Sequence, residues 1–321
     1  MMQCKICDST DLKFKENFQP YSDVEWSFGI YDCMNCKIRF ALRDNSENYY
    51  ELLHSQKWGG YANHYKVADN VKKFIVNNDL KSCEKYLTDI GGGIYAEFIK
   101  YFNQKEKSVD ILEVGCSSGF FCAYLQSRGY RVDGVDVSKT AISYANSIFG
   151  PHFFTRAPKK VYDIIYHKGL IGCVDDPKSF LSTYLELLKP GGEMFFNAPN
   201  VESLIELNEL WVSTPPPDLI YIFHKTTFDY LIDENLEKSI MQLQTRREVI
   251  KKNIKKVRMK DYSKYPKQLK RGKSAGHKTN KNYLKAFLDR IALLTGVLLF
   301  PFPFVRKIDD EYGMILRIKK L

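Results

Sequence analysis

The sequence predicts an α/β fold, a mainly parallel sheet with helices on both faces and an antiparallel last strand, preceded by a small amino-terminal ribbon. Three observations carry that prediction. Residues 109 to 121, VDILEVGCSSGFF, read as a buried strand, a glycine turn and the start of a helix. A second apolar strand, RVDGVDVS from Arg131, ends in an acid 21 residues after Gly115. Ahead of both, four cysteines fall into two C-x-x-C pairs. With 321 residues, 44% hydrophobic and 27% charged, the chain has the length for about two domains and the composition of a globular protein.

From the amino terminus, C-K-I-C at Cys4 and Cys7 and C-M-N-C at Cys33 and Cys36 are separated by 25 residues. Two such knuckles bring four thiolates onto one ion, and zinc is the natural occupant of a tetrahedral sulfur site. The opening MMQCKICDSTDLKFK has no apolar run before a small-residue cleavage site, so the expected compartment is the reducing cytoplasm. There, paired cysteines point to metal before disulfides, with a redox dithiol as the competing reading. Val24 to Tyr31 and KIRFAL are strand-like and suit a β-ribbon over residues 1–45 stapled by the ion, since about forty residues bury too little core alone. Four thiolates leave no open coordination position, so the zinc is expected to be structural.

Residues 46–107 read as a helical linker or lid. Tyr49, Tyr50, Trp58, Tyr61 and Tyr65 cluster there with Gly59 and Gly60. The rings either stack on a ligand, close over a site with the glycines as hinge, or pack a connecting helix. DIGGGIYAEF at 89–98 imitates a phosphate loop but has no acid-ended strand at the proper distance, and is read as a linker turn.

The glycine turn opens the main domain, residues 108–245. An acid at the end of the second strand is spaced to meet a ribose diol, so a ribose-bearing cofactor is implied. A dinucleotide fold wants G-x-G-x-x-G, whereas here the glycines are Gly115 and Gly119 and Glu113 stands at the strand end. A carboxylate there suits an ammonium or sulfonium better than a phosphate.

E-V-G-C-S-S-G followed by G-V-D-V-S resembles motif I and the ribose-binding acid of class I S-adenosylmethionine (SAM) dependent methyltransferases, with Ser117 at the usual middle glycine. YDIIYHKGLIGCVDDPKSFLSTYLELLKPGGEMFFNAPN resembles that superfamily's fourth strand, connecting helix, L-K-P-G-G turn and fifth strand. The resemblance implies a Rossmann-like sheet, SAM as cofactor, and Glu113, Gly115, Cys116, Ser117, Gly119, Asp136 and Val137 as its binding residues. Joined to the cysteine ribbon, the domain is similar to sugar methyltransferases of polysaccharide and antibiotic-sugar pathways, which implies a sugar or glycan-type acceptor. Two Glu-His pairs of those enzymes are replaced here by Gly172 with Cys173 and Asp218 with Leu219, which favours O-methylation slightly over C-methylation.

The residues to inspect are Tyr166, His167 and Lys168 after the fourth strand and Pro199 and Asn200 after the fifth, with His167, supported by Tyr166, as a substitute base. His224, near Tyr221, is the other candidate base, and equally reads as a residue flanking a helix cap at Thr226 or Thr227. For His167 the bland reading is a packed or exposed ring.

The net charge of +10 is local. Residues 246 to 285 hold 16 basic and 2 acidic residues, and the rest of the chain carries 32 basic against 36 acidic. The segment belongs to an insertion, 246–311, before a last strand in 312–321. It suits an anionic membrane surface at the inner face, RNA with Tyr262 and Tyr265 to stack, or a solvated helix and loop. The apolar Ile291 to Val305 is too short, and too rich in proline, to span a bilayer. An RNA base methyltransferase and a non-catalytic SAM-binding partner protein are the rival functions.

Overall fold

The computed structural model describes residues 2–18, 27–42, 49–55, 61–91, 93–206, 210–212, 214, 216–242 and 313–321. The basic segment with Tyr262 and Tyr265, the apolar stretch from Ile291, and Trp58, Gly59 and Gly60 lie outside them, as does the Tyr49 side chain.

The ribbon is three antiparallel strands, β1 (Leu12–Phe18), β2 (Phe28–Cys33) and β3 (Arg39–Ala41). The strand expected from Val24 begins at Phe28, with residues 19–26 outside the described set. Four helices follow: α1 (Tyr49–Ser55), α2 (Tyr61–Val76), α3 (Leu80–Gly91) and α4 (Gly93–Asn103). The linker turn expected at 89–98 is instead the end of α3, at Gly91, and the start of α4, at Gly93, with residue 92 outside the described set.

The main sheet has seven strands. In chain order these are β4 (Asp110–Val114), β5 (Arg131–Val135), β6 (Phe153–Phe154), β7 (Tyr162–Lys168), β8 (Leu188–Ala198), β10 (Glu237–Gln242) and β11 (Met314–Lys319). Across the sheet they run β10-β11-β8-β7-β4-β5-β6. The pairs β4–β5, β4–β7, β5–β6 and β7–β8 are parallel. β11 enters antiparallel to both β8 and β10, as the sequence predicts for the last strand. The sixth strand, expected over Lys238 to Thr245, starts one residue earlier and is described to Gln242.

Helices α5 (Phe120–Ser127), α6 (Lys139–Phe149) and α7 (Pro177–Glu186) are the crossovers. Each starts where its local sequence dictates. Ser138 caps α6 by accepting from the Ala141 N–H at 3.1 Å, and Asp176 caps α7 ahead of Pro177. α2 to α6 cover one face of the sheet through Ala68, Val71, Leu87, Phe98, Phe121 and Ile142. The other face is covered by α7, by α9 (Phe228–Leu231) and by the ribbon, whose Cys4, Ile6, Cys36, Ile38 and Phe40 share one core with Ile165, Phe196 and Leu316.

The inserted β11 is anchored by Glu193 on β8. Its Oε2 accepts from Tyr101 Oη at 2.7 Å and Lys105 Nζ at 2.8 Å, and its Oε1 accepts from Arg317. Burial pushes this carboxyl up, but the bonds from Arg317, Lys105 and Tyr101 outweigh it and hold it at about 2. A depressed carboxyl contributes stability above its unfolded pKa and loses it as pH falls through the folded one. Urea unfolding of the wild type should therefore weaken between about pH 4.5 and pH 2. Glu193→Gln should cost on the order of 2 kcal/mol at pH 7 and flatten that decline.

Candidate active site at the carboxyl edge of the sheet

The turn after β4 is left-handed at Gly115 (φ 71°), Ser117 (φ 50°) and Gly119 (φ 75°). Space as well as torsion demands glycine at its ends. A Cβ on Gly115 would stand 2.9 Å from a Leu170 methyl, and one on Gly119 2.5 Å from the Phe153 ring. The Gly115 and Cys116 N–H groups both donate to the Val135 carbonyl, at 2.8 and 3.0 Å. Cys116 itself is buried, with its sulfur against Gly134.

Asp136 closes the turn from the neighbouring strand. Its Oδ2 accepts from the Ser117 N–H at 2.8 Å and its Oδ1 from the Ser138 N–H at 2.9 Å. One backbone donor on each oxygen orients the carboxylate and leaves lone pairs for a vicinal diol. Val137 lies beside it on the rim, 72% exposed.

Glu113 departs from its expected role. It is 2% exposed and points beneath the turn, where Lys168 Nζ pairs with Oε1 while Tyr166 Oη at 2.8 Å and Cys122 Sγ at 2.9 Å donate to Oε2. The acid kept for a ligand's ammonium is already matched by an ammonium of the chain. Burial pushes the Lys168 ammonium down and the Tyr166 phenol up, and Tyr166 is packed among Phe98, Phe102 and Phe121. Tyr166 is a donor to Glu113 and stands in the core.

His167 alternates to the opposite face of the sheet. It stacks on Phe196 with centroids 4.5 Å apart, meets Phe180 edge-on, is fully buried, and neither ring nitrogen has a partner. Burial pushes it down to about 3, so it is a neutral core ring with no route to a reacting atom. His224 is also drawn away. Its Nδ1 accepts from the Thr226 N–H at 3.2 Å, capping a short turn over Lys225–Thr227, and its Nε2 lies 2.6 Å from Glu202. Tyr221 donates to the Asp175 carbonyl, and Asn200 caps the Glu202 N–H after Pro199.

What covers the turn comes from α1 and α2. Glu51 on α1 accepts from Ser138 Oγ at 2.7 Å and from Thr140 Oγ1. Tyr50 donates to the Cys173 and Asp218 carbonyls, at 2.9 and 3.2 Å, and Tyr61 to Asp218 Oδ1 at 3.0 Å. His64 Nδ1 lies 2.9 Å from Ser117 Oγ, and Ser118 Oγ donates to the His64 carbonyl. His54 meets the Tyr61 and Tyr65 rings edge-on beside them. The sequence reading found the tyrosines and missed His54 and His64. The signal was Tyr61, His64 and Tyr65 at helical spacing, which aligns the imidazole with the tyrosine face.

The ribbon cysteines converge. All four Sγ atoms lie within 4.8 Å of one another, with Cys4 and Cys36 3.7 Å apart and Cys7 and Cys33 3.5 Å apart. Zn–S bonds of 2.3 Å in a tetrahedron require sulfurs about 3.8 Å apart. The two knuckles share one shape: Asp8 and Lys37, both left-handed, return their N–H groups to the Cys4 and Cys33 carbonyls. The ribbon is tied to the larger sheet's domain where β3 pairs with β9 (Tyr221–Ile222) and where Thr227 Oγ1 donates to the Cys36 carbonyl at 2.8 Å.

Residues 84–235 match a family model described as a methyltransferase domain. The described sheet has the Rossmann-like methyltransferase fold, mostly parallel with an antiparallel end strand. The chain is similar to a ubiquinone biosynthesis O-methyltransferase of Hydrogenovibrio crunogenus, 28% identical over 116 residues, 32% of this chain and 48% of that protein. It is also similar to a malonyl-[acyl-carrier protein] O-methyltransferase of Ilyobacter polytropus, 27% identical over 132 residues, 38% of this chain and 49% of that one. The chain thus spans about half the length of these relatives. Among solved structures, coclaurine N-methyltransferase bound to N-methylheliamine and S-adenosylhomocysteine (SAH) aligns over 70% of this chain and 72% of its own, at 14% identity and a TM-score of 0.42. No helix among the described residues is long and apolar enough to cross a membrane.

Lys168→Met should cost about 3–5 kcal/mol in denaturant unfolding, because it strands a buried carboxylate. The double variant Glu113→Gln with Lys168→Met should recover much of that loss, a coupling that a surface ion pair does not show.

Proposed function

We propose that the chain transfers a methyl group from SAM to an oxygen of a small-molecule acceptor. The observation that carries the reading is the left-handed turn at Gly115–Gly119 with the Asp136 carboxylate fixed across it. Close backbone approach at two positions where a Cβ would clash, beside an acid with free lone pairs, fits a ribose-bearing ligand lying across the ends of β4 and β5. When bound, SAM supplies an electrophilic methyl on a sulfonium. The chain's own contribution is then to hold the ribose through Asp136, to shape the turn, and to exclude water with α1 and α2.

Oxygen as the acceptor atom is supported by the two relatives, which are O-methyltransferases by name. For the acceptor class we propose a carbohydrate hydroxyl, supported by the resemblance of ribbon plus domain to sugar methyltransferases. The four cysteines support a structural zinc, since four thiolates of matching knuckle geometry fill its coordination and leave it no catalytic position.

Asp136→Ala should weaken SAM binding by about ten- to a hundredfold in calorimetry, and unchanged affinity removes the ribose assignment. Labelled methyl from SAM, offered to a cell extract that is then separated into nucleotide-sugar, glycolipid and RNA fractions, should enter carbohydrate. Label in RNA, bound with steep salt dependence, would favour the rival nucleic-acid reading, and no label with SAM bound would favour a non-catalytic protein. Metal analysis of the purified chain should find one zinc per chain, lost in Cys33→Ser together with part of the thermal stability.

A further inference from the structure

Among the described residues, two buried side chains keep polar atoms without a hydrogen-bond partner: His167 with both ring nitrogens, and Asn197 with Oδ1. Protein interiors pair nearly every such atom, so each exception asks what its partner is. His167 is sealed at 0% exposure between Phe196 and Phe180, on the face that α7 and the ribbon cover. Asn197, 8% exposed, lies on the other face. It stands one residue before the end of β8 and pairs in register with Lys168 on β7 and Ile315 on β11. Side chains paired in register share a face, so Asn197 is on the side of Glu113, Tyr166 and Ile315, at the carboxyl edge of the parallel strands.

There is room at that edge. Gly169, which follows β7, is left-handed at φ 72°, and a Cβ there would have one neighbour within 4 Å among the described residues, Asn197 Nδ2 at 3.7 Å. At Gly115 and Gly119, by contrast, a Cβ would meet carbon closer than 3 Å. The Asn197 amide thus borders open space over a glycine. Strand order fixes what lies opposite, since the sheet runs β8-β7-β4-β5. Asp136 follows β5 and the glycine turn follows β4, whereas Asn197 stands two strand spacings, about 10 Å, beyond β4 on the side away from Asp136. Its register partner Lys168 supplies no donor, being committed to Glu113 with the Tyr95 and Phe121 rings around its ammonium.

We propose that Asn197 binds the methyl acceptor, its Oδ1 taking a hydrogen bond from an acceptor hydroxyl. The inference rests on the SAM reading above and deepens it by naming a residue on the side of the site opposite the ribose acid. An amide oxygen accepts a hydrogen bond and does not take the proton, so Asn197 orients the hydroxyl and is no base. It also selects. An acceptor with an ether oxygen or bare carbon at that place leaves the amide oxygen buried and unpaired, whereas a hydroxyl satisfies it. The free protein carries the penalty of the orphaned oxygen until the acceptor arrives, which sets the preference for binding against stability at this one atom.

The test uses the full chain with two probes, SAH for the cofactor site and a dilution series of cell extract, offered with labelled SAM, for the acceptor site. Asn197→Leu keeps a similar shape and removes the orphaned oxygen. It should hold SAH affinity within about twofold in calorimetry and raise the thermal midpoint by about 2 °C. The extract concentration that gives half-maximal labelling should rise about ten- to a hundredfold. Asn197→Asp keeps an oxygen at the same atom and should label within about tenfold of the wild type, and Asn197→Ala carries the same comparison without added volume. Wild-type half-saturation in Asn197→Leu and Asn197→Ala overturns the inference and leaves a packed amide or a trapped water. Loss of SAH affinity together with labelling in all three variants overturns it too, as a structural effect. Both results leave the SAM reading standing, whereas a wild type that binds no SAH, or labels no fraction, overturns that reading and this inference together.

Discussion

The structure hangs on a buried carboxylate. Glu113, 2% exposed at the end of β4, must be compensated or protonated, because an uncompensated charge in that surrounding costs several kcal/mol. Its partners come from two other elements, Tyr166 and Lys168 from β7 and Cys122 from α5. The requirement to satisfy one side chain therefore fixes two strands and a helix against each other directly beneath the glycine turn. Everything above inherits that geometry: the approach of Leu170 to Gly115, the two N–H groups on the Val135 carbonyl, and the Asp136 clasp. The same requirement removes Glu113 and Lys168 from ligand chemistry, so the polar groups of the site come from Asp136 and from the covering helices.

This division explains which parts were legible. The parallel strands and the turn could be read because buried parallel strands are apolar runs and because glycine and acid stand at fixed spacing around the turn. Which face a residue takes was not legible, and β7 shows why. In Ile164, Ile165, Tyr166, His167 and Lys168 both faces are buried, so no alternation of polar and apolar residues marks the direction of any one side chain. His167 was placed correctly at the strand end and on the wrong side of the sheet. Glu113 failed for the same reason, its position being right while its direction was unreadable. His224 was open to both readings, and the neighbouring threonines that suggested a cap are the ones it caps.

The ribbon presents the converse case. Its knuckles are local in sequence and were visible, but its attachment is not. β3 pairs with two residues, Tyr221 and Ile222, some 180 positions away, and such short pairing carries no sequence pattern. Its effect is large because Phe40 meets the tilted Tyr221 ring and the Cys36 carbonyl accepts from Thr227, so the ribbon core continues into that of the sheet. An ion on the four cysteines would cross-link a segment that is already part of one hydrophobic face. Its loss would then be felt at α9 and the sheet as well as in the ribbon.

The covering helices show where acceptor choice is written. α2 is anchored at its middle by Ala68 and Val71, both fully buried against α5, whereas among the described side chains its first turn and α1 reach the site through the polar contacts of Glu51, Tyr50, Tyr61 and His64, with the His64 ring also edge-on to Phe120. Polar contacts exchange with water at little net cost, while withdrawing buried aliphatic carbon does not. For the acceptor proposed above, the candidate contacts in this cover are Tyr50, Tyr61 and Asp218, none of which belongs to a motif. A cofactor is constant across such domains and leaves a fixed signature in the sequence. On the proposed function, the covering helices and the Asp218 loop are where substitutions should redirect specificity while leaving the fold intact.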